Sequence, residues 1–314
     1  MKRSLNAAKP RTFTTVPVKT DRKPQKSGGP IGAVRGAVSG VASVAPAGAG
    51  RIAGIAVAVL VALVVAAVIV VNSGLFAATD IQIKGSEHIT QHDAKQLIDL
   101  PEGTSLFNVD SAKIVDGLKQ NPWVSGVDVQ RKFPHTLIIT PTERKVLAIA
   151  YITSDDIAWG IGDDDTWIAP LSTSVAVDDK GNMVTSGDGA KVASGIDAAL
   201  ALSKHYGAVL LTDVSADVSP VSGQSVSARA VKAGLDYARG FSSDFLSQVK
   251  DISVSSVEAI SANLNSGVEV SLGSAEDISK KEKIVTKLLS QVEGVTYINV
   301  RSSGNYTFRN APTS

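Results

Sequence analysis

Residues 52–71 read IAGIAVAVLVALVVAAVIVV, twenty consecutive positions without a charged or polar side chain. A helix rises about 1.5 Å per residue, so this run covers about 30 Å, the hydrocarbon thickness of a bilayer. Thirteen of the twenty are Ile, Leu or Val, and each favours insertion by about 0.3–0.6 kcal/mol near the membrane centre. A surface helix of a soluble protein has a polar face, and this one has none to offer. The competing reading is a cleaved signal peptide, whose apolar region usually spans about 7–15 residues after a short basic start. Here 51 residues precede the run, and a cut after Ala77 or Ala78 would place Leu75 or Phe76 near the site where a small residue is needed. A retained single transmembrane helix over 52–71 is expected.

Charge then sets orientation. Residues 1–51 carry ten Lys or Arg against the single acid Asp21, while the whole chain is +1, which leaves 52–314 strongly acidic. Positive flanks stay in the cytoplasm. The expected topology is N-terminus inside, with 72–314 outside. The leader 1–51 is rich in Pro, Gly, Ser and Ala and cannot bury a core, so it reads as disordered. Its charge is sufficiently explained as a topology signal that also suits anionic lipid, and nucleic acid is not taken as a partner. There is no Cys, which excludes thiol catalysis, a thiolate metal site and a disulfide framework, so the exported part must stand on burial alone.

Beyond the span, Asp80–Gly85 alternates with period two and ends at Gly, a strand and a turn. Thr90, with Asp93 three residues on, resembles a capping box that opens a helix carrying Ala94, Leu97 and Ile98 on its inner side. Asp110 caps a second helix, with Ile114, Val115 and Leu118 on one face, and Asn121-Pro122 stops it. Two extended runs, 123–131 and 136–140, follow. The order strand, helix, helix, strand, strand implies helices on one face of a three-stranded sheet.

That order, with FNVD at 107–110, NPWV at 121–124, VDVQRKFPHTLII at 127–139 and Glu143-Arg144, resembles the POTRA domain of the bacterial FtsQ/DivIB cell-division family. Phe107, Pro122, Trp123, Val124, Arg131, Phe133, Pro134, Glu143 and Arg144 sit at matching motif positions, and the motif implies shape rather than chemistry. Trp123 is expected as a core anchor between sheet and helices. Pro141 departs from the pattern. It cannot donate to a ladder and should lie at a strand end or edge.

From 146 the pattern changes. Strands are expected at 146–152, 157–161 and 166–169, the last two joined by the turn Gly162-Asp163-Asp164-Asp165. Three adjacent Asp lack the alternation and distal Glu of a calcium loop, so no metal is expected. Residues 172–194 read as a long mobile insertion. Helices are expected at 196–206, from 226 with a break near Gly240, and over 276–291. In the last of these Ile284, Leu288 and Leu289 face inward, and Lys280, Lys281, Lys283 and Lys287 face outward. Strands are expected at 208–211, 252–254, 259–264, 268–272 and 295–301, with Asn265-Ser266-Gly267 as a hairpin turn.

SGVEVSLG at 266–273, Lys283, and YINVR at 297–301 followed by Ser302-Ser303-Gly304 resemble the C-terminal signature of the same family. The fold class expected is α+β: leader 1–51, transmembrane helix 52–71, POTRA domain 78–145 (β-α-α-β-β), and a mixed domain 146–310 with a largely antiparallel sheet. No HExxH, GxSxG or P-loop is present, and His88 and His92, four apart, are not assured of helical ligand spacing because His88 precedes the helix cap, so neither enzyme nor cofactor is expected. The resemblance implies a divisome scaffold in the cell membrane at the septum. It would bind FtsB/DivIC-like and FtsL-like bitopic proteins and other divisome components, and support septal peptidoglycan synthesis. The alternatives are an anchored POTRA receptor for secreted polypeptides and an anchored cell-wall hydrolase. Val295–Arg301 has no obvious successor and is expected to expose an edge that accepts a partner strand. Val295, Tyr297, Asn299, Arg301, Ser302, Tyr306 and Phe308 are the candidate contact residues, Arg301 as a charge partner and Tyr306 or Phe308 as apolar anchors.

Overall fold

The computed structural model describes residues 49–85, 87–185 and 190–311. The expectation for the leader lies outside them, apart from the last three residues. The chain divides into two units, 1–67 and 68–314. Helix α1 (Ala49–Val71) crosses that division, and among the described residues it is the one helix long and apolar enough to cross a membrane.

A 3₁₀ turn (Gly74–Phe76) leads into strand β1 (Asp80–Ile83), helices α2 (Gln91–Leu97) and α3 (Ser111–Leu118), and strands β2 (Val124–Lys132) and β3 (Thr136–Glu143). The strands form one sheet in the order β1-β3-β2, with β1 parallel and β2 antiparallel to β3. Both caps read from the sequence are present. Thr90 Oγ1 accepts from Asp93 N–H at 3.1 Å, and Asp110 Oδ1 accepts from Ala112 and Lys113 N–H. Asp93 is one methylene shorter than the usual Glu, and its carboxylate accepts the Thr90 hydroxyl proton at 2.7 Å. Ile83, Ile89, Ala94, Leu106, Ile114, Leu118, Leu137 and Ile139 form the core between sheet and helices. The helices meet at Gly117, where a Cβ would lie 2.2 Å from the Leu97 carbonyl oxygen. Pro141 lies in the central strand, but β1 pairs only as far as Ile139, so β3 has a single neighbour at the proline.

The second sheet has nine strands: β4 (Val146–Ile152), β5 (Ile157–Gly162), β6 (Trp167–Leu171), β9 (Val209–Thr212), β10 (Val249–Val254), β11 (Ile260–Leu264), β12 (Glu269–Ser271), β13 (Val295–Ser302) and β14 (Asn305–Asn310). The residues expected to be a mobile insertion instead supply β7 (Ser174–Val177) and β8 (Lys191–Ser194), an antiparallel pair that buries Val175 and Val177. The sheet order is β14-β13-β12-β11-β10-β9-β4-β5-β6, with parallel pairing only at β13/β12, β10/β9 and β9/β4. Helices are α4 (Gly195–Tyr206), α5 (Arg229–Gly240), the short α6 (Ser243–Leu246) and α7 (Ile278–Gln291).

Strand β4, VLAIAYI, shows why its sequence is apolar throughout. Ala148, Ala150 and Ile152 join the core that holds Leu235, Tyr237, Val285 and Leu288. Ile149 and Tyr151 join the opposite core with Ala198, Ala199 and Leu202 of α4. A strand buried on both faces cannot alternate with polar residues.

Candidate functional site

The C-terminal hairpin is the part of the second sheet with most uncovered surface. β13 turns at Ser303-Gly304 into β14, and the pair runs antiparallel with Ile298 opposite Phe308 and Asn299 opposite Thr307. Paired residues share a face of the sheet. Phe308 therefore continues the face on which Ile298 and Val300 are fully buried. All six residues of β14 are exposed, with Tyr306 at 46% and Phe308 at 42%. On the other face, Arg309 lies over the Tyr297 ring at 4.2 Å, a cation–π contact that turns this charge back onto its own sheet.

One sequence expectation is corrected here. Val295–Arg301 is not an edge. β13 lies between β12 and β14, and among the described residues the side without a neighbour belongs to β14 at the end of the sheet. The cause is the turn at Ser302–Asn305, which brings residues 305–310 back as one more strand. Val295, Tyr297 and Asn299 are half-buried in β13, while Arg301 and Ser302 are exposed at its end. Arg301 Nη2 stands 4.0 Å from Glu258 Oε2, an exposed pair of small energetic weight.

Just after β12, beside the start of α7, lies a buried network that sequence reasoning missed. Lys281 was expected to face solvent, yet it is 1% exposed. Its Nζ donates to the carbonyls of Leu272 (2.8 Å) and Ser274 (2.6 Å) and to Tyr237 Oη (3.0 Å). The Tyr237 hydroxyl donates in turn to the Ser274 carbonyl at 2.6 Å. Burial pushes the lysine pKa down, while Glu276 and Asp277 oppose the shift, and burial pushes the Tyr237 phenol up. The signal was present, because Lys281 stands four residues before Val285 and seven before Leu288, on the buried stripe of α7. Only a network of fixed acceptors makes a cation acceptable there. Next to it Asp277, at φ +52°, accepts from Ser303 Oγ at 2.8 Å and from Lys280 Nζ at 2.8 Å. The Lys280 and Ser303 bonds hold its carboxyl below the usual range. The turn of the hairpin is thus tied to the start of α7.

The motif residues of the first sheet fall into four groups. Val124 is core. Trp123 is corrected from core anchor to half-buried junction residue: it stacks on His88 at 3.6 Å with the rings 5° apart, 6.1 Å from the Tyr206 ring of α4, and it packs against the cores of both sheets. Around it, Glu143 Oε1 accepts from His88 N–H at 2.7 Å, and His88 Nε2 lies 3.1 Å from Tyr206 Oη. Arg144 bonds the Pro122 carbonyl and both oxygens of Asp164, at 2.9 and 3.1 Å. Gly162 is needed there, because a Cβ would lie 2.3 Å from Arg144 Cδ. Pro122 is half-buried beside this junction. Arg131 donates to the Val109 carbonyl at 2.8 Å and to Ser111 Oγ at 3.0 Å, securing the entry to α3. Phe107, Phe133 and Pro134 are exposed.

The triple aspartate resolves into ion pairs. Asp164 meets Arg144, and Asp165 meets Arg239 of α5. Among the described residues no group of three or more His, Asp or Glu is placed to hold a metal ion.

Two family models match in succession: "POTRA domain, FtsQ-type" over 76–144 and "Cell division protein FtsQ/DivIB, C-terminal" over 167–301. Curated relatives agree. The chain is 32% identical over 84 residues to the cell division protein FtsQ of Geobacter sp. (strain M21), which covers 27% of this chain and 31% of the relative. It is 32% identical over 80 residues to that of Bradyrhizobium diazoefficiens, 26% of this chain and 23% of the relative. Such matches span about a third or less of those proteins. FtsQ of Streptomyces collinus aligns more fully, 23% identical over 225 residues, 70% of this chain and 73% of the relative. With the apolar N-terminal helix, the first sheet and the second sheet all in family order, the chain belongs to the FtsQ/DivIB family of bacterial cell-division proteins.

Proposed function

We propose that this protein is a single-span divisome scaffold that binds FtsB/DivIC-like and FtsL-like bitopic partners outside the cytoplasm and thereby supports septal peptidoglycan synthesis. Residues 1–51 remain cytoplasmic in this reading, 52–71 cross the membrane, and 78–145 and 146–310 form the two outer domains. The carrying observation is the outer side of β14, which has no neighbouring strand among the described residues. An added strand would bond its backbone there, and a helical stem beside that strand would cover Tyr306 and Phe308. Val295, Tyr297, Asn299, Arg301 and Ser302 contribute from the adjoining strand. The protein acts by assembly, not catalysis.

The test uses the full chain in nanodiscs and its FtsB/DivIC-like partner. Tyr306→Ala combined with Phe308→Ala should weaken binding by at least about 30-fold, the weight of one interface anchor, with the melting temperature unchanged. Unchanged binding by the folded variant would move the partner site elsewhere. A reporter active only outside the cytoplasm should work when fused after Ser314. Release of fragments from peptidoglycan by the purified chain would instead favour a hydrolase.

A further inference from the structure

Phe107 and Phe133 match the family motif but build no core: they are 47% and 49% exposed, in the loops before α3 and after β2. Their ring centroids are 4.8 Å apart, and Phe76 packs edge-on against both, at 5.1 and 6.2 Å. Leu75, 64% exposed, directly precedes Phe76 in the chain. Surface this apolar on an exported domain implies an occupant. Its place in the chain says which. Val71 ends the apolar span, and its carbonyl accepts from Ser105 Oγ at 2.6 Å, two residues before Phe107. Asn108 Nδ2 donates to Asn72 Oδ1 at 2.7 Å, and Leu106 N–H donates to the Phe76 carbonyl at 2.7 Å. These bonds hold the aromatic group against the last turn of a helix whose side chains require lipid.

We propose that Leu75, Phe76, Phe107 and Phe133 form a membrane-docking patch that enters the interfacial layer of the outer leaflet beside α1. Aromatic and aliphatic side chains are favoured at that depth, where an apolar body leaves water while the backbone stays near the headgroups. The patch would fix the height and tilt of the first sheet above the bilayer. The proposal rests on α1 spanning the membrane.

The chain has no native Cys, so one introduced cysteine gives a unique spin label. Leu75→Cys and Phe133→Cys are compared with Val192→Cys, a site 75% exposed on β8, in the full chain in vesicles of phosphatidylethanolamine and phosphatidylglycerol. The ratio of oxygen to aqueous nickel-chelate collisions should be several-fold higher at positions 75 and 133 than at 192, and should not change on dilution to one chain per vesicle. Equal ratios in chains that float with the vesicles overturn the patch. Protection that vanishes on dilution overturns it in favour of a second copy. Chains that fail to float with vesicles overturn the span, and the patch with it.

Discussion

Among the described residues, β2 in the first sheet and β14 in the second each pair on one side only. They differ in how that unpaired side is protected. β2 has a register irregularity between Val124 and Gly126 and carries exposed Asp128 and Lys132, the features that discourage a strange strand from adding. β14 carries one charge, Arg309, and that charge is folded back over Tyr297, while two large rings stand exposed. An unpaired edge is therefore not in itself an interface. Both ladders carry register irregularities, so what separates the two is whether exposed charge opposes pairing.

The largest effect expected is on the stability of the sheet that carries β14. Lys281→Ala would leave the Leu272 and Ser274 carbonyls and the Tyr237 hydroxyl short of a donor, at a cost of about 2–4 kcal/mol. Chemical denaturation should show the second sheet losing stability. Lys281→Met, which fills the space without a charge to bury, should cost less. Equal losses in the two variants would mean that the hydrogen bonds add nothing beyond packing.

Trp123→Ala comes next. The half-buried ring touches both cores, so the cost should be about 2–3 kcal/mol, below the figure for a fully buried aromatic. If the sheets unfold together in the wild type and separately in the variant, the His88–Trp123–Tyr206 stack is what couples them. A single unchanged transition would show that other contacts do. The edges themselves are compared by Phe308→Glu and Gln130→Glu. The first should reduce partner affinity by about 30-fold, and the second should leave it unaltered. Similar losses at both would erase the distinction drawn between them.

The smallest effect is at low pH. Burial alone would raise the Asp164 pKa, but its bonds from Arg144 and Thr166 outweigh this and hold it below the usual value. Its contribution is thus complete above the unfolded value of about 3.9 and is lost as pH falls through the lower folded value. Asp164→Asn should flatten the acid limb of the stability profile below about pH 4. An identical limb would assign it to other carboxylates.

The elements of the first sheet were legible because their signals are local. The Thr90 and Asp110 caps, the Asn121-Pro122 stop and the alternation of 80–85 each bias a few adjacent residues, and the structure contains each element. Family motifs made the architecture recognisable for the same reason. Even where a local pattern was strong, partners remained hidden. Trp123 looked like any apolar anchor until α4, some eighty positions later in the chain, supplied Tyr206 as its neighbour.

By itself the sequence determined that 52–71 is apolar on every face, that the chain is α+β, and that 146–152 is an apolar strand. Each follows from composition over a short window, where solvation of the side chains alone decides. The tertiary structure decided which strand is the edge, because strand order depends on pairing between distant segments and on a turn as slight as Ser302–Asn305. It also decided that Lys281 is inside, since a buried ammonium is tolerable only where Leu272, Ser274 and Tyr237 bring three oxygens to one point. Residues 174–177 and 191–194 became a strand pair for a related reason: a polar, turn-rich segment holds a ladder once Val175 and Val177 find a sheet and a helix to pack against.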